Sequence, residues 1–149
     1  MNETIGIGSD HGGRVLKQAI SNYLKSLNFE VIDYGVPPDD SASVDYPDYA
    51  EKLASDIASQ KLRRGILVCG TGIGIGIAAN KVKGIRAATV WSEDTARLSR
   101  EHNDTNVLCL GERVVPQQTA LKLVEIWLNT EFEGGRHQRR VDKIMKLEQ

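Results

Sequence analysis

Short apolar runs alternate with longer segments of helical period along this chain, and this alternation limits the possible folds more than any other feature. The runs predict β-strands at residues 4–8, 29–34, 65–69, 85–91 and 106–110. Strands that alternate with helices form parallel β-α-β units. The 149 residues suit one domain of ordinary size. We therefore expect a single α/β domain over 1–149, with a five-stranded parallel sheet between two layers of helices.

Segments with apolar residues three or four positions apart predict the helices. These segments lie at residues 15–27, 47–58, 92–100, 116–128 and 136–146. Pro47 suits the first turn of a helix, and Ser92 suits an N-cap. In the segment at 116–128, we expect Leu121, Val124 and Leu128 to face the core.

Three smaller patterns complete this prediction. The run 65–69 is apolar throughout, so helices should cover both faces of that strand. Val15 and Leu27 begin and end the expected apolar face of the first helix. Proline, aspartate and serine at 37–41 predict an exposed loop.

Charge and hydropathy exclude nucleic acid and membranes as partners. Lys and Arg number 19 against 20 Asp and Glu, so the chain lacks the broad positive charge that such binding requires. The longest nearly apolar stretch, 65–79, contains glycines and Thr71 and does not predict a membrane span. Residues 1–4 show no export signal, so we expect a cytoplasmic protein. Cys69 and Cys109 form no C-x-x-C motif and are expected to be free thiols.

Polar residues follow several predicted strands at the edge where open α/β sheets bind ligands, beyond the carboxyl ends. The segments are Ser9-Asp10-His11-Gly12-Gly13, Cys69-Gly70-Thr71-Gly72-Ile73-Gly74, Ser92-Glu93 and Gly111-Glu112-Arg113. We expect several of them to converge on one crevice.

The glycine-rich segment 70–76 fits neither a dinucleotide fingerprint nor a P-loop, because Ile75 and Ile77 occupy positions that require glycine. Its backbone N–H groups could still bind an anion at a helix N-terminus. The alternative is a tight turn from strand to helix that needs glycine for conformational reasons alone.

Cys69 lies where the strand 65–69 meets this segment. A thiol beside a helix N-terminus gains thiolate character and can act as a nucleophile or a base. The alternative is a buried structural cysteine, which Cys109 resembles because it lies inside its strand. Ile75 occupies the arginine position of a cysteine-dependent phosphatase, which disfavours that chemistry.

Histidine and arginine residues in the second half of the chain offer further chemistry. His102 lies at an element boundary, where it is either a catalytic group or a capping residue. His11, His102 and His137 show no metal-ligand spacing, so we expect no metal site. Arg136 and Arg140 share a helix face and could clamp a phosphate, or they could belong to a solvated face.

Taken together, these segments resemble the B-type ribose-5-phosphate isomerases in order and spacing along essentially the whole chain. The matching motifs are Gly8-Ser9-Asp10-His11, Asp45-Tyr46-Pro47, Cys69-Gly70-Thr71-Gly72-Ile73-Gly74, Ala78-Ala79-Asn80-Lys81, Leu98-Ser99-Arg100-Glu101-His102-Asn103-Asp104 and Glu133-Gly134-Gly135-Arg136-His137. The resemblance implies a Rossmann-like α/β/α fold and an aldose–ketose isomerase that interconverts ribose 5-phosphate and ribulose 5-phosphate without metal or cofactor. It also implies a homodimer, or a larger assembly, with sites at the subunit interface.

The resemblance also implies roles for individual residues. Cys69 matches the base that moves a proton from C2 to C1 through an enediolate, and Thr71 matches a proton-relay partner. His102 matches the acid or base that opens the sugar ring. The positions that match substrate contacts are Asp10, His11, Gly70, Thr71, Gly72, Ile73, Gly74, Asn103, Arg113, Arg136 and Arg140.

Two positions depart from the pattern of similar sequences. Gly76 stands where serine is common, so a hydroxyl contact is lost there. Ile75 stands where another branch has a catalytic glutamate, which assigns this chain to the cysteine branch. Two alternatives stay open: an isomerase of a six-carbon aldose phosphate such as allose or galactose 6-phosphate, and a non-catalytic module that binds a sugar phosphate or nucleotide. Cys69 together with His102 argues against the second.

Overall fold

The strands and helices of the chain follow the predicted alternation. The computed structural model describes residues 2–37, 39 and 41–149. Its strands are β1 (Thr4–Ser9), β2 (Glu30–Asp33), β3 (Arg64–Cys69), β4 (Ala87–Thr89) and β5 (Val107–Gly111). Its helices are α1 (Arg14–Ser26), α2 (Tyr46–Ala58), α3 (Ile73–Asn80), α4 (Glu93–Asn103), α5 (Gln117–Asn129) and α6 (Arg136–Lys146), and a 3-10 turn, His11–Gly13, precedes α1.

All the strands pair in parallel, in the order β2-β1-β3-β5-β4. Helix α5 contacts both α1 and α4, and α2 contacts α3. Each of these two sets packs over its own apolar core against the sheet. Every residue of β3 is buried between the two cores. The predicted three-layer α/β/α fold and the covered central strand are therefore confirmed.

The strand order places a topological switch between β1 and β3. From β1 the chain crosses to β2 on one side, and from β3 it crosses towards β4 on the other. The loops that leave β1 and β3 therefore diverge and open a crevice beyond the carboxyl ends of these strands. Ser9 and Cys69, the last residues of the two strands, border this crevice.

Strand β4 is shorter than the predicted run at 85–91. Side-chain oxygens accept hydrogen bonds from backbone N–H groups before and after this strand. The N–H of Arg86 donates to Asn106 Oδ1 over 2.8 Å, and the N–H of Trp91 donates to Thr95 Oγ1 over 3.2 Å. The second contact belongs to the N-terminus of α4, where Ser92 is the predicted cap. Regular pairing is therefore limited to Ala87–Thr89.

The apolar face of α1 differs from the prediction at both ends. Val15 is 64% exposed and Leu27 is 43% exposed, so the expectation that both face inward was wrong. Lys17 is fully buried instead, because its ammonium donates to both carboxylate oxygens of Asp33 and to the carbonyl of Val36. A lysine with such partners can replace an apolar residue on a buried face.

The inward face of α5 is also partly different from the prediction. Val124 and Leu128 are buried as expected, whereas Leu121 is only half-buried. Leu123 and Trp127 are fully buried and form the centre of this inward face.

Of the predicted loop at 37–41, residues 38 and 40 lie outside the described part of the chain. Among the described residues, no helix is long and apolar enough to cross a membrane.

Candidate active site

Cys69 ends β3 directly beneath the N-terminus of α3. The backbone N–H of Gly72 donates a hydrogen bond to Cys69 Sγ over 3.1 Å. Gly72 has a φ of 78° and lies so close to β5 that a Cβ atom would be 2.8 Å from the carbonyl carbon of Leu110, so only glycine fits. The hydrogen bond places a backbone donor on the sulfur at the start of α3.

Cys109 is a different kind of cysteine. It is fully buried inside β5 and packs in the core beneath α2 and α3. Burial, together with the charge of a Cys69 thiolate, raises the pKa of the Cys109 thiol far above its usual range. Of the two free thiols, Cys69 is the one equipped for chemistry.

Asp10 and His11 follow β1 on the same side of the crevice. Asp10 Oδ1 accepts a hydrogen bond from the N–H of Gly12 over 2.9 Å, which fixes the turn. His11 Nδ1 lies 3.1 Å from the backbone N of Val44, so the other ring nitrogen of His11 is left for a ligand. A Cβ atom on Gly12 would lie 3.4 Å from the backbone N of Gly70, so this turn and the glycine loop are in contact.

Arg113 brings a positive charge to the glycine loop. The backbone N–H of Arg113 donates to the carbonyl of Gly70 over 3.0 Å. The guanidinium is also close, because a Cβ atom on Gly70 would lie 3.3 Å from Arg113 Nη1. The Arg113 guanidinium has no side-chain hydrogen bond or ion pair within 2–37, 39 and 41–149. It is therefore available to an anion held by the loop.

Thr71 and Ile73 lie at the outer side of this loop. Both side chains are exposed, and Thr71 Oγ1 accepts a hydrogen bond from the N–H of Ile73 over 3.2 Å. Gly74 lies beneath the ring of Tyr46, whose phenol oxygen would be 2.6 Å from a Cβ atom there. Tyr46 thus joins the site, although the sequence analysis gave it no role; its place in the motif Asp45-Tyr46-Pro47 was the available signal.

His102 and Asn103 lie at the opposite edge of the sheet. Helix α4 continues to Asn103, past the predicted end near Arg100, and Asp104 caps it with a φ of 46°. The chain then enters β5 at Val107, which pairs with Gly65 at the amino end of β3, whereas Cys69 pairs with Gly111 at the carboxyl end. With a rise of about 3.3 Å per residue, these two ends of β3 are about 13 Å apart. Within one chain, His102 and Cys69 therefore do not meet.

His102 stacks on His137 of α6. The ring centroids are 4.2 Å apart and the planes differ by 12°. His137 is buried, and its Nε2 has no hydrogen-bond partner among the described residues. Burial, followed by the charges of His102 and Arg136, lowers the pKa of His137 and favours its neutral form. Sequence spacing carried no signal for this pair, because its members lie on separate helices.

Arg136 and Arg140 occupy the first turns of α6 beside this pair. Both side chains are exposed and make no hydrogen bond or ion pair within the part of the chain that the structure describes. The two predicted clamp residues thus lie with His102 and not with the glycine loop of the same chain.

The predicted site residues therefore form two groups. The carboxyl-end group consists of Asp10, His11, Cys69, Gly70, Thr71, Gly72, Ile73, Gly74 and Arg113. The amino-end group consists of His102, Asn103, Arg136 and Arg140. Only the carboxyl-end group lies at the expected crevice beyond the carboxyl ends of the strands.

Comparisons with known proteins find relatives that match nearly the whole chain. The sequence model of the ribose/galactose isomerase family matches residues 5–144. Ribose-5-phosphate isomerase B of Escherichia coli strain K12 is 48% identical over 145 residues, which are 97% of this chain and 96% of that protein. The solved ribose-5-phosphate isomerase B of Clostridium thermocellum is 55% identical, with a TM-score of 0.94 over 97% of both chains.

A second solved structure carries a ligand. It is ribose-5-phosphate isomerase B of Mycoplasma genitalium with bound ribulose-5-phosphate, 49% identical, with a TM-score of 0.93 over 99% of this chain and 97% of that chain. Sequence identity and backbone agreement at this level extend over the strand ends and the loops that hold both groups of residues. The chain therefore belongs to the ribose/galactose isomerase family.

Proposed function

We propose that this chain interconverts ribose 5-phosphate and ribulose 5-phosphate, with Cys69 as the base. The relatives named ribose-5-phosphate isomerase B cover nearly the whole chain, and one of them holds ribulose-5-phosphate. The observation that carries the chemical part of the proposal is the hydrogen bond from Gly72 N–H to Cys69 Sγ. It places a backbone donor on the Cys69 sulfur, at the start of a loop whose N–H groups can hold an anion.

The proposed reaction transfers one proton within the sugar. Cys69 removes the proton from C2 of the open aldose, an enediolate forms, and the same thiol returns the proton to C1. Negative charge then develops on the enediolate oxygens, where N–H groups of the loop 70–74 stabilise it without rearranging. Thr71 assists the exchange of the hydroxyl proton. Before this step, His102 opens the ring by general acid or base catalysis.

The remaining residues of both groups hold the substrate. Asp10, His11 and Asn103 bind the sugar hydroxyls. Arg136 and Arg140 clamp the phosphate through bidentate, charge-assisted hydrogen bonds, with Arg113 contributing from the side of the glycine loop.

The proposed active form is a homodimer, or a larger assembly of dimers. Helix α3 is apolar around nearly its whole circumference, which is typical of a buried helix. Even so, Ile73 and Ile77 are each 58% exposed on its outer face, and Trp91, between β4 and α4, is 59% exposed. A second copy that covers this face removes the apolar surface from water.

Such a dimer also completes the site. If the carboxyl-end group of one copy faces the amino-end group of the other, each two-fold dimer has two identical sites, and each site takes Cys69 from one chain and His102 from its partner. Because phosphorylated sugars do not cross membranes freely, the cytoplasm is the compartment in which this reaction would operate.

The direct test is an assay of the purified protein with ribose 5-phosphate and with allose 6-phosphate, without added metal. We expect turnover of ribose 5-phosphate with a higher kcat/KM. Preference for the six-carbon sugar would instead assign the chain to the hexose-phosphate isomerases of this family. Binding without turnover of either sugar would identify a non-catalytic sugar-phosphate module.

A further inference from the structure

His102, Glu133 and His137 form a group of possible metal ligands that come from separate parts of the fold. Their ligand atoms all lie within 4.8 Å of one another. His102 is in the last turn of α4, Glu133 precedes α6, and His137 is in the first turn of α6. Glu133 and His137 are four residues apart, but His102 lies 31 positions before Glu133, so sequence spacing alone does not bring the three together.

The backbone at this group is held in place. The N–H of Glu133 donates to the carbonyl of Glu101 over 3.1 Å, which ties the segment before α6 to the residue beside His102. The N–H of His137 donates to the carbonyl of Gly134 over 3.0 Å. The positions of the three side chains therefore depend on fixed backbone and not on a free loop.

His137 supplies the observation that points to a ligand. The side chain is only 6% exposed, and its Nε2 lacks a hydrogen-bond partner in the described part of the chain. A buried polar atom without a partner carries a desolvation cost that a bound group would offset. Glu133 and His102 each place one potential ligand atom within 4.8 Å of a ligand atom of His137.

We propose that His102, Glu133 and His137 bind one divalent transition-metal ion such as Zn²⁺. Two imidazoles and one carboxylate are a common zinc donor set, and a water molecule would take the fourth position. Zinc–nitrogen bonds of about 2.0–2.1 Å require tetrahedral ligand atoms about 3.4 Å apart. The half-buried His102 and the exposed Glu133 must therefore turn towards His137, and the stacked rings must fan apart.

Metal binding at this group would block the isomerase. This consequence rests on the proposed function, because it follows only if His102 opens the sugar ring. An imidazole that coordinates zinc has no lone pair left for proton transfer. Zinc bound there also occupies space beside Arg136 and Arg140, the proposed phosphate clamp.

The binding test uses Co²⁺ as a spectroscopic probe on chelator-treated full-length protein in a phosphate-free buffer. We expect visible bands of tetrahedral cobalt that saturate at one ion per chain and disappear when Zn²⁺ is added. Glu133→Gln should weaken binding by at least about 100-fold, more than the 10- to 100-fold typical of second-shell changes. Glu131→Gln is the matched control, because Glu131 lines a different cavity with Arg63 and should leave the titration unchanged.

Three further results decide between explanations. Cys69→Ser should keep the visible bands, since binding through the thiol is the competing explanation. In the activity assay, Zn²⁺ should inhibit the wild type and the Glu131→Gln variant, whereas Glu133→Gln should keep its turnover and resist inhibition. Three outcomes would overturn the site: the wild type shows no cobalt bands, Cys69→Ser loses them, or Glu133→Gln leaves them unchanged. Cobalt binding in a protein without isomerase activity would refute the proposed function and leave the metal site standing.

Discussion

At the scale of single residues, the two cysteines occupy different positions in the fold, and only Cys69 lies next to the start of a helix. Cys69 receives a hydrogen bond from an N–H at the start of α3, whereas the pKa of Cys109 is raised by complete burial inside β5. The difference arises from one boundary: Cys69 is the last residue of its strand, and Cys109 lies in the middle of the neighbouring strand.

The proposed role of Cys69 predicts a specific loss in Cys69→Ser. A serine hydroxyl is a much weaker base than a thiol at a helix N-terminus, so kcat for ribose 5-phosphate should fall by at least about 100-fold. Substrate affinity, measured by calorimetry, should change little.

Cys109→Ser is the matched control, and it should retain most of the wild-type kcat. Iodoacetamide followed by mass spectrometry should also modify Cys69 before Cys109 in the native protein. Wild-type turnover in Cys69→Ser would remove Cys69 from the role of base.

Gly76 illustrates how a neighbouring side chain fills a missing contact. A Cβ atom at this position would lie 2.7 Å from Thr89 Oγ1, and that hydroxyl donates to the carbonyl of Gly72 over 2.7 Å. Thr89 thus reaches the glycine loop across the space that a serine at position 76 would use. A serine there could bond the same carbonyl, four residues earlier in the chain.

Thr89→Ala should therefore lower kcat/KM by about 2- to 10-fold, the effect of losing one neutral hydrogen bond. Adding Gly76→Ser to Thr89→Ala should restore most of this loss, whereas Gly76→Ser alone should displace the threonine hydroxyl and impair activity. Steady-state kinetics of the three variants check the prediction. If the double variant were worse than both single variants, the two hydroxyls would not be interchangeable.

Residues that are close in sequence were predicted well, and residues brought together by packing were not. Cys69 and the glycine loop form one continuous segment, so their proximity follows from the sequence alone. The stacking of His102 on His137 depends on how α6 packs against α4, which no periodicity encodes. The same reason explains why Glu133 was missed.

At the scale of elements, α6 presents a basic face and a buried face at its N-terminus. His137 and Val141 are buried, and Arg136 and Arg140 extend from the helix beside them. Successive residues rotate by about 100°, so Arg139 points away from the buried side. The helix therefore provides two arginines next to His102 and a third that serves as a control.

Arg140→Ala should reduce kcat/KM for ribose 5-phosphate by roughly 10- to 150-fold, the effect of losing a charge-assisted hydrogen bond. Reaction with free ribose should change little, and Arg140→Lys should recover only part of the loss because lysine lacks the planar fork. Arg139→Ala should behave as the wild type. An equal proportional loss on ribose and ribose 5-phosphate would show that Arg140 supports the fold or the dimer.

Helix α1 is joined to the segment after β2 by Lys17. Its ammonium contacts Asp33 and the carbonyl of Val36. Val36 lies next to the crevice, because its N–H donates to the carbonyl of Ser9, the residue that ends β1. Periodicity predicted the helix and missed this contact, because a charged residue on a buried face breaks the apolar pattern.

Lys17→Met should lower the free energy of unfolding by about 1–3 kcal/mol, since it leaves the buried carbonyl of Val36 without its side-chain donor and removes the ion pair with the exposed Asp33. Lys25→Met is the control on the exposed side of the same helix and should have little effect. Urea unfolding measures both variants. Equal stability of the two would mean that the buried ammonium contributes nothing to the fold.

At the scale of the whole molecule, one chain holds the two groups of predicted site residues at opposite ends of its strands. The alternation of apolar runs and amphipathic segments predicted a parallel sheet, the structure supplied its strand order, and the resemblance predicted a shared site. The separation itself follows from parallel topology: β3 ends at Cys69, whereas α4 returns the chain to the amino edge before β5. In the proposed dimer, the second copy would cover the exposed apolar residues of α3, Ile73 and Ile77.

Complementation between two inactive variants tests the shared site most directly. Cys69→Ser and His102→Asn would be mixed in equal amounts, unfolded together and refolded, and assayed with ribose 5-phosphate. In a mixed dimer, the chain with intact Cys69 faces the chain with intact His102, which forms one complete site. Random pairing should then recover about a quarter of the wild-type activity, although each parent is inactive. No recovery in a sample that contains mixed dimers would contradict the account and place both residues in a site within one chain.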